Sequence, residues 1–356
     1  MMKKVNTITL AVVAVLLMAA LAVVQLFPVR TPVQDADTML RAEELMIACT
    51  ERIRAEKEAL GIDLTPEDRF STGLIGDPYS IITTTLGPIE AKRTAADSSM
   101  AALMVRMLGE AGIGEGDHVA AGFSGSFPGM NLAVLCACEA MGVDITYICS
   151  VGASTYGANQ PEMTFPDMAC LLYEEKLIKT APAAFSLGGD KDIGADMDAE
   201  SCEAISERLQ EKGITFINEE DYALNLSLRR NIYEANGMPD CFVGAGGGIV
   251  TQGTGESVVG WGLTELGTVK QITGKSGLAD IYNSEGLPVI SLLNIKKLAA
   301  DYDLPYDPEQ DAAPGEGALY TEEKALWPVV PAAIIPAALL LWKDPFGRKR
   351  KDGDEK

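Results

Sequence analysis

Two glycine-rich turns hold the residues best placed for chemistry. Gly122-Phe-Ser-Gly-Ser-Phe-Pro-Gly-Met-Asn131 follows an apolar run and opens a helical pattern, with Pro128 suited to a first helical turn. Ser124 and Ser126 stand where a helix takes its N-cap. Small residues such as Gly125 let backbone N–H groups face a ligand, and a helix N-terminus favours an anion. Asn131 adds a polar side chain to the start of that helix. A second turn follows the strand-like run 241–243 and supplies Gly246, Gly247 and Gly248. Ligands of open α/β sheets bind beyond the carboxyl ends of the strands, so the two turns make one crevice if their strands are neighbours. The competing reading is tight strand-to-helix packing, which uses the same glycines.

A polar and basic patch is the next candidate. Thr84 and Thr85, within a run of three threonines, and Lys92-Arg93-Thr94 could hold a carboxylate by charge-assisted hydrogen bonds. The alternative is ion pairing with nearby acids. Asp190, Asp192, Asp196 and Asp198 lie in a glycine-containing loop but lack the order of a calcium loop, so a solvated loop leading into a helix capped by Asp198 is expected. No metal site is assigned.

Named motifs fail in informative ways. Gly122-x-Ser124-x-Ser126 has serine where a nucleophile elbow ends in glycine. The single histidine, His118, lies six residues before Ser124, whereas an elbow enzyme has its histidine far downstream; a Ser-His-Asp triad is not expected. Neither glycine run spells a phosphate loop or a dinucleotide fingerprint, so no nucleotide cofactor is implied, and no catalytic residue is assigned. With one histidine, the seven cysteines cannot build a Cys/His zinc site; buried free thiols are expected.

These candidates need elements to position them. Apolar spacing predicts a helix over 35–60, either a stalk or packed on the domain. A helix start is expected at Thr65-Pro66-Glu67-Asp68, a strand over 81–85 and a helix from Asp97 to Gly112. Then strand, glycine turn and helix alternate. Strands are expected at 118–123, 144–149, 183–187, 215–217, 241–243 and 288–291. Helices are expected at 128–141, 167–178, 198–212, 219–236 and 294–302. That rhythm indicates an α/β fold, a mostly parallel sheet with helices on both faces.

Two uncharged apolar segments flank this domain. Residues 8–27 are long enough to cross a bilayer as a helix. The segment is long for a signal peptide and no small-x-small cleavage site follows it. Residues 325–342 carry Trp327 and Trp342 near their ends, and Pro328, Pro331 and Pro336 predict a kinked span packed on other helices. Lys3 and Lys4 precede the first segment and Lys343, Arg348, Lys349, Arg350 and Lys351 follow the second. Positive charge favours the cytoplasm, so both tails (1–7 and 343–356) are expected inside and residues 28–324 outside the cytoplasmic membrane. Within that outer region, 28–115 would be a helical stalk and domain start, 116–304 the α/β domain and 305–324 a polar linker.

Charge narrows the partners. The chain has 29 Lys and Arg against 51 Asp and Glu. Setting aside the two N-terminal lysines, and the six basic and four acidic residues after Trp342, leaves 21 basic and 47 acidic side chains, a net −26. Nothing resembles the basic stripe that nucleic acid needs.

Taken together, the chain resembles the poly-γ-glutamate system proteins. The resemblance rests on the N-terminal anchor, Ile81-Ile82-Thr83-Thr84-Thr85-Leu86-Gly87-Pro88 with Ala91-Lys92-Arg93-Thr94, the Ser124–Asn131 turn, Ser150-Val151-Gly152-Ala153-Ser154-Thr155-Tyr156-Gly157-Ala158-Asn159 and the Gly244–Gly248 run. It covers nearly the whole chain. It implies an accessory or assembly subunit beside the membrane subunits that make and export a capsule-type polymer. The alternative is a membrane-tethered hydrolase or transferase of γ-glutamyl chains, with Ser124 or Ser126 as nucleophile and Lys92 as base or carboxylate clamp.

Overall fold

The computed structural model describes residues 6–26, 29–309, 313–324 and 329–343. Lys3, Lys4 and the basic run 348–351, on which the orientation rests, lie outside the described residues, as do 325–328 of the second apolar segment. Two compact units form. One joins the chain's ends, up to Val33 and from Thr321; the other is Gln34–Tyr320.

The N-terminal end is α1 (Thr7–Leu26) and β1 (Val29–Pro32). The larger unit opens with α2 (Ala36–Ala59), β2 (Thr83–Thr85), α3 (Ile89–Ala96) and α4 (Ser99–Glu110). The alternating section runs through β3 (His118–Phe123), α5 (Pro128–Met141), β4 (Asp144–Ser150), β5 (Ala153–Ser154), α6 (Phe165–Glu174) and β6 (Ala184–Ser186). It continues with α7 (Ala199–Glu211), β7 (Thr215–Ile217), α8 (Tyr222–Tyr233), β8 (Cys241–Ala245) and α9 (Ile249–Gln252). Last come β9 (Gly262–Thr264), α10 (Leu278–Ser284), β10 (Val289–Leu292) and α11 (Ile295–Asp301), and then the terminal β11 (Thr321–Lys324) and α12 (Val329–Lys343).

Seven strands make one sheet in the order β7-β6-β4-β3-β8-β10-β9, parallel except for β9 against β10. The fold is α/β, as the alternating pattern predicts. Five of the six residues of β3 are buried, which fits a central strand covered on both faces. Successive residues of β6 show the two faces: Ala184 joins Tyr233, Phe242, Leu278 and Tyr282 under α8 and α10. Phe185 joins Cys170, Ile205 and Leu209 under α6 and α7. Local signals mark helix boundaries, the expected Asp198 cap among them. Gly142 takes φ +71 at the end of α5, and Asp198 and Asp221 accept from backbone N–H groups at the starts of α7 and α8.

Two expectations change, and two strand pairings are additions. The 35–60 helix is no stalk: Met39, Ala42, Met46, Cys49 and Ile53 of α2 form a buried stripe, and α2 packs on α4, α5 and α6. Burying a side chain of that size yields about 1.5–3 kcal/mol, which holds the helix down. No helix starts at Thr65; Asp68 instead folds the chain back, accepting from the backbone N–H groups of Thr72 and Gly73. The threonine strand stays out of the main sheet and pairs with β5 in a two-stranded sheet. Three residues with no periodic pattern around them, in β9, become an antiparallel edge.

In the terminal unit β1 and β11 pair antiparallel, and α1 packs against α12. Among the described residues α1 is the one helix long and apolar enough to cross a membrane. The expected second span appears as 15 helical residues with Pro336 inside. That is about 22 Å of helix, against about 30 Å of hydrocarbon.

Candidate functional site

β3 and β8 are parallel neighbours, with Gly122 opposite Gly244 and Phe123 opposite Ala245. From β3 the chain steps outward through β4, β6 and β7, then returns to the other side of β3 as β8. The strand order therefore reverses between β3 and β8, and both glycine turns leave the carboxyl ends of those two strands. Ser124 N–H donates to the Ala245 carbonyl at 3.0 Å, tying the turns together. Gly246 has φ +89, and a Cβ there would sit 2.6 Å from Ser124 Cβ, so only glycine lets the second turn pass the first.

A cavity of about 690 Å³ opens at this switch point. Of the candidate residues, Thr84, Thr85, Lys92, Ser124, Ser126, Gly247 and Gly248 line it. The other four do not, each for a visible reason. A Cβ on Gly125 would lie 2.6 Å from the Val151 carbonyl, so this glycine serves close packing. Gly246 shapes the turn. Asn131 is fully buried beneath the turn, where its Nδ2 donates to the Ser124 carbonyl at 2.8 Å. Arg93 turns away: its Nε and Nη2 bind Asp307 Oδ1 and Oδ2 at 2.6 and 2.7 Å, the ion-pair reading of that patch.

Neither serine caps α5. The N-cap is Phe127, with no side-chain cap. Ser124 Oγ accepts from Ser126 N–H at 3.2 Å, and Ser126 Oγ accepts from Ser154 N–H at 3.0 Å. The serines thus hold the turn to itself and to β5.

Lys92 is the unusual group. It is 3% exposed, its Nζ donates to the Ser126 carbonyl and meets Ser154 Oγ at 2.7 Å, and it sits 3.7 Å from the Phe127 ring centroid. Burial pushes its amine down to about 7. A lysine whose folded pKa lies below its ordinary value stabilises the fold fully only above that ordinary value. The contribution is lost as pH falls from there towards 7, because the lysine of the unfolded chain takes a proton that the buried amine does not. Lys92→Met should therefore gain stability relative to the parent at pH 6 and lose that advantage at pH 10. Denaturant unfolding at the two pH values measures it; a pH-independent difference would contradict the burial argument.

The structure adds to the cavity wall residues that the sequence reading does not place among its candidates for this site. Ser150, Gly152 and Ser154 come from the carboxyl end of β4 and from β5; Gly188, Gly189, Asp190, Asp192 and Asp196 come from the loop after β6. Leu86 and Trp261 line the cavity while staying exposed, and Lys296 brings a second amine to it. The signal that could find most of them is position: 150–154, 188–196 and Lys296 follow the carboxyl ends of β4, β6 and β10. The aspartate loop is only partly the solvated loop expected. Asp192 is buried, accepts from Ser186 Oγ and Asn225 Nδ2, and pairs with Arg229 at 2.6 Å. Asp190 N–H donates to Asp196 Oδ1 at 2.7 Å, and Asp198 caps α7. Lys191 and Asp192 both lie in the left-handed region, at φ 53 and 65, beside Gly188, Gly189 and Gly194. This wall of the cavity is strained backbone held by a buried ion pair. All seven cysteines are buried free thiols.

No family model, no curated protein and no solved structure matches this chain.

Proposed function

We propose that this protein is a membrane-anchored accessory component of a poly-γ-glutamate synthesis or export system, with a ligand-binding α/β domain outside the cytoplasm. One observation carries the reading. The stretches behind the sequence resemblance, 81–94, 124–131, 150–159 and 244–248, are far apart in the chain, yet each contributes to the wall of one switch-point cavity. A shared surface feature of a scaffold would have no reason to gather there.

The anchor supports the same reading. α1 is long and apolar enough for one span; α12 packs on α1 and β1 pairs with β11, which would suit a returning arm, and the basic residues of the two tails favour the cytoplasm for both. Prolines in the second arm suit a helix whose freed carbonyls are satisfied by neighbouring membrane helices, so the partners are membrane subunits of the synthase or exporter.

Affinity capture of the intact, tagged protein from mild detergent, in cells that make the polymer, tests this. Co-purification of the synthase or export subunits is expected, and it should be lost when α12 is replaced by an unrelated apolar helix. A protein that purifies alone, or a reporter at residue 60 found in the cytoplasm, would sink it.

A further inference from the structure

The geometry points to a nucleophile–base pair in the cavity wall: Ser154 Oγ as nucleophile and Lys92 Nζ as its general base, acting on the acyl carbon of an ester or amide. This goes beyond the accessory role, which requires only binding.

Four serines line this cavity, Ser124, Ser126, Ser150 and Ser154, and Ser154 is the one whose hydroxyl meets the Lys92 amine. Ser124 Oγ and Ser126 Oγ each accept a backbone N–H, whereas Ser154 Oγ is the hydroxyl that meets Lys92 Nζ, at 2.7 Å. Ser154 is held firmly. It ends β5, and its own N–H donates to Ser126 Oγ. Lys92 is held by the Ser126 carbonyl and the Phe127 ring. Lys92 Nζ donates to the Ser126 carbonyl and to Ser154 Oγ; once the amine gives up the proton aimed at Ser154, its lone pair is left facing that hydroxyl. Burial, with no carboxylate contributing to hold the proton, favours that neutral form near pH 7.

Access is provided by Gly87. A Cβ at that position would lie 3.0 Å from Ser154 Oγ and 3.1 Å from Lys92 Cε, over the pair; its absence leaves them open to the cavity. Lysine replaces histidine as base in known variants of the serine triad, so the single, misplaced His118 is no obstacle.

The chemistry balances without a cofactor. Lys92 Nζ takes the Ser154 Oγ proton as Oγ bonds to the acyl carbon. Collapse of the tetrahedral adduct breaks the bond to the leaving oxygen or nitrogen, which departs with the proton from the Lys92 ammonium. Water then attacks the Ser154 ester. Lys92 accepts a proton from that water, the acid is released, and Ser154 Oγ leaves with the proton returned by Lys92.

The test is labelling of the full-length protein in detergent micelles with a fluorophosphonate, with the modified serine located by peptide mass spectrometry. Label is expected on Ser154, at a rate rising with pH along one ionisation near 7. Ser154→Ala should remove it, and Lys92→Met should slow it by about 100-fold or more, the usual contribution of a general base. The pH profile needs no variant and stands even if Lys92→Met misfolds. No label on Ser154, or a rate flat between about pH 6 and 8, overturns the pair. Such a failure leaves co-purification with membrane subunits untouched, so the two readings fail separately.

Discussion

Replacing Arg229 by methionine should cost the fold about 3–5 kcal/mol, because it strands a buried carboxylate. Arg229 and Asp192 are 4% and 5% exposed, and their ion pair is 2.6 Å long. Ser186 Oγ and Asn225 add further hydrogen bonds to both members of the pair. Removing the guanidinium leaves Asp192 charged among β6, α8 and the cavity wall. Adding Asp192→Asn to Arg229→Met should recover most of the loss, since no charge then remains to be buried. Denaturant unfolding of the full chain in detergent measures both. A single variant that costs less than about 1 kcal/mol would show that water reaches the pair in solution. The effect should extend to the site: Asp192 and Lys191 hold left-handed backbone, a strain of about 1–3 kcal/mol per residue, and the ion pair is what pins it.

Gly129→Val is the second large effect expected, a loss of about 3 kcal/mol, at the upper end for overpacking. A Cβ there would lie 2.1 Å from the Ala95 carbonyl oxygen and 2.8 Å from Ala96 N. These are backbone atoms of α3, which cannot swing aside as a side chain can. α5 and α3 must then separate, and α3 carries Lys92. Loss of stability should therefore come with loss of any activity that depends on Lys92 reaching the Ser126 carbonyl. Gly114→Ala is the control. Nothing lies within 4 Å of a Cβ at Gly114, so its effect should stay within about 0.5 kcal/mol. Equal effects at the two glycines would refute the close-approach explanation.

Much of the scaffold is legible in the amino-acid sequence. Period-2 and helical apolar patterns reflect which faces must leave water, and that depends on the residues alone. The β3, α5, β4 and β7 segments accordingly fall within a residue or so of their expected places. The elements that patterning does not reveal, β9, α10 and the β2–β5 pairing, are short and held by partners distant in the chain. Local propensity has little to say there. The lone β2 strand, for example, exists because β5, about seventy residues on, accepts it.

The same division runs through the site. The chain by itself determined that two small-residue turns follow strands, that one lysine and one arginine lie just after a threonine run, and that its single histidine does not stand in the order of a nucleophile-elbow enzyme. It could not decide which side chains share a space. Lys92 and Arg93 are adjacent in sequence, yet α3 points one into the cavity and the other to Asp307. Ser124 and Ser126 have the residue type and position of caps, but their hydroxyls are taken by Ser126 N–H and Ser154 N–H. Ser154 carries no catalytic motif at all. Its meeting with Lys92, and the burial that lowers the lysine's pKa, are long-range effects: desolvation depends on everything packed around a group, which only the folded chain specifies.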